Sequence, residues 1–192
     1  MYAVETSDVL ASPLSKKYSV NQWPEIVEQH GPYVWRTVYR LLNNNEDVTD
    51  CYQETFLHAF DYAQRREVKC WPAVLRRIAT SRAMDVLRRR YRAAATDTQL
   101  SMLETEPADA GPSPDVWIQL RESMDQLRGA LAELPTMHAE VFWLSEVEML
   151  SHQDIAEQLE GTTEQVALWL HRAKQKLHKL LVARGVTNEV MR

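Results

Sequence analysis

The stretch WPAVLRRIATSRAMDVLRRRYR, residues Trp71–Arg92, decides the fold of this chain. Its apolar residues recur at helical spacing and form one stripe, made of Val74, Leu75, Ile78, Met84 and Leu87. Pro72 suits the first turn of a helix, where a missing N–H removes no hydrogen bond. The stretch therefore predicts a long amphipathic helix that packs along its apolar stripe.

The same helix carries a concentrated positive charge. Residues 65–92 contain ten Lys or Arg residues and two acidic residues, whereas the whole chain has a net charge of −5. A basic block of this density in an acidic protein is typical of a phosphate-binding surface. The alternative is a solvated helix whose arginine-rich C-terminal end complements the helix dipole.

Composition favours an all-α protein of the cytoplasm. Gly is scarce, at 5 residues of 192, and no alternating β-branched runs stand out. No apolar run reaches the ~18 residues that a membrane span needs, and the acidic N-terminus does not resemble a signal peptide. Cys51 and Cys70 lack metal-ligand spacing, fit a reducing compartment and are expected to pack between helices.

The motifs of the common enzyme classes are absent from the sequence. It contains no HExxH, no Cys/His cluster, no GxxxxGK[ST] loop and no GxSxG elbow. We therefore predict no catalytic residue, no metal site and no cofactor. A metal-dependent nuclease is the remaining enzymatic alternative, because Asp47, Asp50 and Glu54 share one helical face, although no second carboxylate group evidently opposes them.

Shifts in composition predict two helical domains joined by a flexible acidic linker. The first domain is expected to be a bundle of about four helices, with a helix break near Gly31–Pro32. The linker has five acids, three prolines and no basic residue, too little apolar surface to fold alone. The predicted parts are a mobile extension (1–20), the first domain (21–95), the linker (96–115), the second domain (116–184) and a tail (185–192).

The second domain ends in a predicted helix-turn-helix. Ser151 with Asp154, and Thr162 with Gln165, have the spacing of two capping boxes, and Glu160–Gly161 forms the turn between them. In such a unit the second helix enters the major groove of DNA. An ordinary helical hairpin is the alternative.

Two pairs of stretches point to one family. The first pair, EDVTDCYQETFLHAF and CWPAVLRRIATSRAMDVLRRR, is similar to the patterns D-x-x-Q-E-x-F and W-L-x-x-I-A-x-N-x-x-x-D-x-x-R-R. The second pair is LPTMHAEVFWLSEVEMLSHQDIAEQL and VALWLHRAKQKL. Together they resemble domains two and four of the extracytoplasmic-function sigma factors of bacterial RNA polymerase. The resemblance covers residues 23–92 and 120–181.

The resemblance implies a promoter-recognition subunit that binds core RNA polymerase and opens promoter DNA. It places contacts to the clamp helices of the largest polymerase subunit at Asp50, Gln53, Glu54 and Phe56. It places −10 DNA contacts at Lys69, Arg76, Arg77, Ser81, Arg82, Arg88, Arg89 and Arg90. It places −35 DNA contacts at Thr162, Thr163, Gln165, Trp169, His171, Arg172 and Lys174. Many members of this group are held inactive by an anti-sigma factor, so such an inhibitor is a further partner to consider.

This chain departs from the family pattern in the predicted recognition helix. Ala167, Leu168 and Trp169 stand where many members have Lys, Ser and Arg. Three interpretations remain open: a weak or unusual −35 contact, a rotated helix that buries these residues, or a protein interface. Ser81 stands near the place of a common Asn, and Trp71 either faces an unstacked base or packs in the core.

The competing hypothesis is a helix-turn-helix regulator that binds duplex DNA without polymerase. The segment Asp50–Phe56 discriminates between the two, because a plain repressor has no need of a polymerase-docking helix.

Overall fold

The computed structural model describes residues 22–96 and 114–186, and all regular structure in these ranges is helical. This confirms the all-α prediction, while the predicted extension and most of the predicted linker lie outside the described residues. The helices are α1 (Trp23–Leu42), α2 (Asn45–Arg65), α3 (Trp71–Thr96), α4 (Pro114–Ala132), α5 (Thr136–Phe142), α6 (His152–Gln158) and α7 (Thr163–Ala183), and a π-helical turn (Trp143–Val147) continues α5. We call α1–α3 the N-terminal bundle and α4–α7 the C-terminal bundle.

The predicted break near Gly31–Pro32 is wrong, because α1 runs through it without interruption. The N-terminal bundle therefore has three helices in the described residues rather than about four. Pro32 lies on the exposed side of α1, while Gly31 is buried against α2. A Cβ atom at position 31 would lie 2.6 Å from the Tyr52 hydroxyl oxygen, so glycine permits this close contact. Residues before and after the proline pack in the core, and this packing offsets the free-energy cost of the backbone hydrogen bond that the proline removes.

Local chemistry sets several helix ends as predicted. Asn43 ends α1 in the left-handed region, with φ of 51°, which asparagine tolerates better than most residues. The Asn44 side chain then accepts a hydrogen bond from the Asp47 backbone N–H at 2.9 Å. Both capping boxes in the helix-turn-helix are present, which confirms the predicted starts of α6 and α7.

One apolar cluster joins the two bundles. It contains buried residues from both, among them Leu41, Leu42, Leu75, Met84 and Leu87 from the first and Leu131, Leu134, Trp143 and Leu177 from the second. Trp71 belongs to its edge, with its ring centroid 5.5 Å from that of Trp23. A smaller cluster inside the helix-turn-helix is formed by Val141, Leu144, Ile155, Ala156, Val166 and Leu170. Cys51 is buried as expected, but Cys70 is exposed.

Two arginines complete the C-terminal end of α1. The last carbonyl groups of a helix have no partner within the helix. Arg128 of α4 donates to two of them, the carbonyls of Arg40 at 3.0 Å and Leu41 at 2.9 Å. Arg90 of α3 donates to the carbonyl of Leu42 at 2.9 Å. The cap therefore draws on both bundles.

Helix α4 approaches α3 closely at Gly129. A Cβ atom there would lie 2.8 Å from a ring carbon of Tyr91 on α3. The Tyr91 hydroxyl donates to the backbone carbonyl of Asp125 at 2.9 Å, one turn earlier on α4. Glycine thus allows the two helices to pack against each other over the tyrosine ring.

Substitution Arg128→Met is expected to destabilise the protein. Two carbonyl groups would lose their donors, and each buried polar group left without a partner costs ~1–3 kcal/mol. Urea unfolding should show a loss of about 2 kcal/mol or more in the free energy of unfolding. The control Arg36→Met, on the exposed side of α1, should change it by less than about 0.5 kcal/mol. Equal stability of the two variants would contradict the capping role.

Candidate nucleic-acid interface

Helix α3 presents its predicted DNA-binding residues on two faces. Arg77, Ser81 and Arg88 are spaced by four and seven residues, which places them on one face of the helix. This face meets α5 of the C-terminal bundle. Arg82 and Arg89 lie on a neighbouring face, toward α2.

Glu140 of α5 covers the first of these faces. The residue is 5% exposed, and its carboxylate accepts a hydrogen bond from the Ser81 hydroxyl and lies near Arg88 and Arg77. Burial raises the pKa of Glu140, and the Ser81 hydrogen bond and the Arg88 charge only partly oppose that rise. Three residues predicted to contact DNA therefore face an acid of the same chain.

Arg88 is itself buried, at 8% exposure. It donates to the carbonyl of Leu134, in the connection that follows α4, at 3.3 Å. It also lies 3.5 Å from the Asp85 carboxylate. Burial lowers the pKa of the Arg88 guanidinium. Arg88 therefore spans the contact between the bundles.

Two other predicted contacts have partners inside the N-terminal bundle. Arg90 caps α1 and lies 3.8 Å from the Asp47 carboxylate. Arg76 donates to the Tyr33 hydroxyl and lies over its ring, 5.2 Å from the centroid. Lys69, by contrast, is exposed in the connection between α2 and α3.

The second face of α3, together with Arg88 at the border of the first face, lines an open cleft of about 450 Å³. Basic side chains of α3 meet an acid of α2 there, so the predicted DNA contacts and polymerase contacts adjoin. Arg92, which the sequence reasoning did not select, is part of this lining. The cleft is lined by Glu54, His58, Arg82, Asp85, Arg88, Arg89, Arg92 and Thr136.

The predicted polymerase contacts of α2 lie in two environments, on the exposed face of the helix and in the core. Asp50, Gln53 and Glu54 are exposed on the outer face. Phe56 is 5% exposed and packs in the core, with its ring centroid 5.0 Å from that of Tyr52. Phe56 therefore supports the helix from inside. Leu57, next to it, is 70% exposed among the acids.

Helix α7 holds its predicted DNA contacts mainly on the surface. Thr163, His171, Arg172 and Lys174 are exposed. The Thr162 side chain accepts a hydrogen bond from the Gln165 backbone N–H at 3.2 Å, and the Gln165 side chain accepts one from the Thr162 backbone N–H at 3.0 Å. These two bonds fix the start of the helix. His171 lies 3.0 Å from Gln175, and Lys174 lies 3.0 Å from the Glu146 carboxylate.

The three unusual residues of α7 have different environments. Trp169 is half-buried and packs against the smaller apolar cluster, beside the turn at Gly161. Ala167 is exposed, and Leu168 is 45% exposed. The interpretation of a rotated, buried helix thus fits Trp169 but not Leu168. Leu168 therefore lies on the exposed side of α7.

Sequence reasoning missed the acids that link the two bundles. Besides Glu140, Glu148 lies 3.4 Å from Arg40 and accepts from the Tyr33 hydroxyl at 3.3 Å. Glu160 pairs with Arg66. The one signal in the sequence was the net negative charge of the residues outside the basic block. It does not indicate which basic residue each acid pairs with.

Within residues 22–96 and 114–186, no group of three or more His, Cys, Asp or Glu side chains is placed to hold a metal ion. None of the helices described there combines the length and apolarity needed to cross a bilayer.

Comparison with known proteins identifies the family. Residues 26–93 match the profile of sigma-70 region 2, and residues 124–177 match sigma-70, region 4. The ECF RNA polymerase sigma factor SigE of Mycolicibacterium smegmatis is 32% identical over 160 residues, 83% of this chain and 61% of SigE. This chain belongs to the extracytoplasmic-function sigma factors. SigW of Bacillus subtilis, in the same group, is 26% identical over 86% of this chain and 92% of its own length.

Solved structures share the fold of this sigma factor. CnrH, solved with the cytosolic domain of CnrY, matches 86% of this chain and 90% of the CnrH chain, with 22% identity and a TM-score of 0.54. RpoE, solved with the anti-sigma factor NepR from Bartonella quintana, matches 84% and 98%, with 18% identity and a TM-score of 0.52. The likeness of these two structures concerns the fold alone.

Proposed function

We propose that this protein is a promoter-recognition subunit of bacterial RNA polymerase, which binds the core enzyme, recognises promoter DNA and takes part in opening it. One observation carries the proposal. The exposed acidic face of α2 and the basic face of α3 adjoin at the cleft that contains Glu54, Arg82 and Arg89. A surface for a protein and a surface for phosphates thus lie side by side on one bundle, and the family membership supports the rest.

In this proposal α2 docks on the clamp helices of the largest polymerase subunit through Asp50, Gln53 and Glu54, while Phe56 holds the helix in position. The basic residues of α3 and the preceding connection bind the −10 element. Helix α7 binds the −35 element in the major groove. In this proposal the polymerase supplies the catalysis, and this protein contributes no catalytic residue. Both proteins act in the cytoplasm.

An inhibitory protein is a further proposed partner. CnrH was solved with the cytosolic domain of CnrY, and RpoE with the anti-sigma factor NepR. By analogy with these two proteins of the same fold, we extend the expectation of an anti-sigma factor to this chain.

Run-off transcription with purified core polymerase and a pool of upstream DNA tests the proposed function directly. Transcripts that depend on this protein would support the sigma role, and their start sites would give both promoter elements. Duplex DNA binding without any affinity for core polymerase would instead favour the regulator without polymerase docking.

The double substitution Asp50→Ala and Gln53→Ala should weaken binding to core polymerase. Both residues are exposed on α2, so their loss removes two contacts without disturbing the core. We expect the dissociation constant to rise by about tenfold or more, equivalent to ~1.4 kcal/mol. The matched control is Glu28→Ala with Gln29→Ala, an acid and an amide on the exposed side of α1. If the two double variants bind core polymerase equally well, the docking assignment is wrong.

The double substitution Arg82→Ala and Arg89→Ala should reduce the salt dependence of binding to single-stranded −10 DNA. These arginines face the open cleft, whereas Arg88 and Arg90 also support the fold, and their loss would confuse the result. Two lost phosphate contacts should lower the slope of log K against log salt by about 1.4. Fluorescence anisotropy at several salt concentrations measures this slope. Arg36→Ala is the control, and a slope unchanged from wild type would exclude these two contacts.

Leu168 is expected to contact the methyl group of a thymine in the −35 element. An apolar side chain in the major groove recognises thymine through this methyl, and His171 and Arg172 flank Leu168 on the same exposed side of α7. Replacing each −35 thymine in turn by deoxyuridine removes only the methyl group. At one position binding should weaken by about fourfold, the value expected for one buried carbon.

The variant Leu168→Ala should bind both forms of that site equally, whereas His178→Ala, also exposed on α7, should still discriminate between them. Equal binding of thymine and deoxyuridine sites by the wild-type protein would exclude the methyl contact.

A further inference from the structure

Helix α7 presents an acid on the side that is proposed to face DNA. The buried stripe of the helix is formed by Val166, Leu170, Ala173 and Leu177. Successive residues of an α-helix are turned by about 100°, so Glu164 and Leu168 point away from that stripe, and both are exposed. In a helix-turn-helix, the N-terminal residues of the second helix contact the base edges. Glu164 therefore lies where a base contact is expected, although the family resemblance assigns it none.

The Glu164 side chain is ionised and offers only hydrogen-bond acceptors. Its own backbone N–H donates to the carboxylate and lowers the pKa of Glu164, and the Thr162 hydroxyl lowers it further. Such a carboxylate is repelled by the phosphates of DNA unless a donor on the DNA compensates. The alternative is an acid that only complements the N-terminal end of the helix dipole.

The first half of α7 has no cation with which to recognise guanine. Residues 162–171 contain no Lys or Arg, and Arg172 is the first of these residues in the helix. Ala167, Leu168 and Trp169 occupy the place of the Lys, Ser and Arg of many family members. On the exposed side of this half, an acceptor and an apolar side chain, Glu164 and Leu168, are therefore available for base recognition.

Among the four bases, cytosine is the best partner for an ionised carboxylate. In the major groove, cytosine presents the N4 amino donor, whereas guanine presents two acceptors and thymine an acceptor and a methyl group. Adenine has an amino donor at N6, but its N7 acceptor lies beside it and repels a carboxylate. A carboxylate in this groove therefore selects cytosine.

We propose that Glu164 recognises a cytosine of the −35 element by accepting a hydrogen bond from its N4 amino group. The inference rests on the proposed binding of α7 to the −35 element and names one base within it. Glu164 and Leu168 are four residues apart, which corresponds to about 6 Å along the helix, or nearly two base-pair steps of about 3.4 Å. The cytosine is therefore expected about two base pairs from the thymine whose methyl group Leu168 contacts.

Selection of duplex DNA by the holoenzyme tests this assignment. Core polymerase carrying this protein would bind sites from a duplex pool of random sequence, and sequencing of the bound fraction gives the base preference at each position. Glu164→Gln removes the charge at nearly constant size, and its amide can pair with the N6 and N7 atoms of adenine. Glu157→Gln makes the same change at an exposed position on α6 of the same helix-turn-helix and is the matched control.

The expected result is one upstream position at which the wild type and Glu157→Gln favour cytosine and Glu164→Gln favours adenine. Loss of the cytosine preference in Glu164→Gln alone would also support the contact. On one selected duplex, replacing this cytosine by adenine should weaken wild-type binding by about fivefold or more, the lower end of the range for a specific base contact. The same replacement should not weaken binding of Glu164→Gln.

Three outcomes would count against the contact in different ways. A cytosine preference retained in Glu164→Gln, or lost equally in Glu157→Gln, would overturn the inference. Upstream preferences that include no cytosine in the wild type would overturn it while leaving the −35 role of α7 in place. The absence of any upstream preference would overturn that proposed role of α7, and the inference with it.

Discussion

The C-terminal end of α1 is the point on which the packing of this protein depends. A helix end that is buried requires donors for its last carbonyl groups, and side chains of other elements must provide them. Arg128 arrives from α4 and Arg90 from α3, so one cap fixes the position of both helices relative to α1. Because Arg128 belongs to the C-terminal bundle, two of the last carbonyl groups of α1 receive their donor from the other bundle.

This dependence has a cost that bears on function. Arginines of α3, which by their charge are well suited to bind phosphates, also hold the fold together. Arg90 caps a helix, and Arg88 and Arg77 face an acid. The side of α3 toward the cleft, with Arg82, Arg89 and Arg92, borders an open space. The basic helix is thus divided between arginines that hold the fold and arginines that are proposed to bind DNA.

The features that sequence revealed are those that depend on near neighbours. The capping boxes at Ser151 and Thr162 were predictable because both partners lie within three residues, and the apolar stripe of α3 was predictable from helical period alone. The partnership of Glu140 with α3 was not, since an acid facing another helix has the same local pattern as an acid facing water. Arg90 posed the same problem, because within a run of arginines nothing local separates a helix cap from a phosphate contact. The helix break predicted at Pro32 was wrong for a related reason, because packing against other helices keeps α1 continuous through the proline.

Gly129 has a consequence for how such proteins can diverge. At this position only the glycine hydrogen lies between the α4 backbone and the Tyr91 ring. Any larger side chain would clash with the ring and force the two helices apart. The spacing of α3 and α4 at this point therefore depends on the small volume of one residue, which lies outside every surface proposed to touch DNA or polymerase. A larger residue at this position would push the two helices apart without replacing any residue proposed to contact DNA or polymerase.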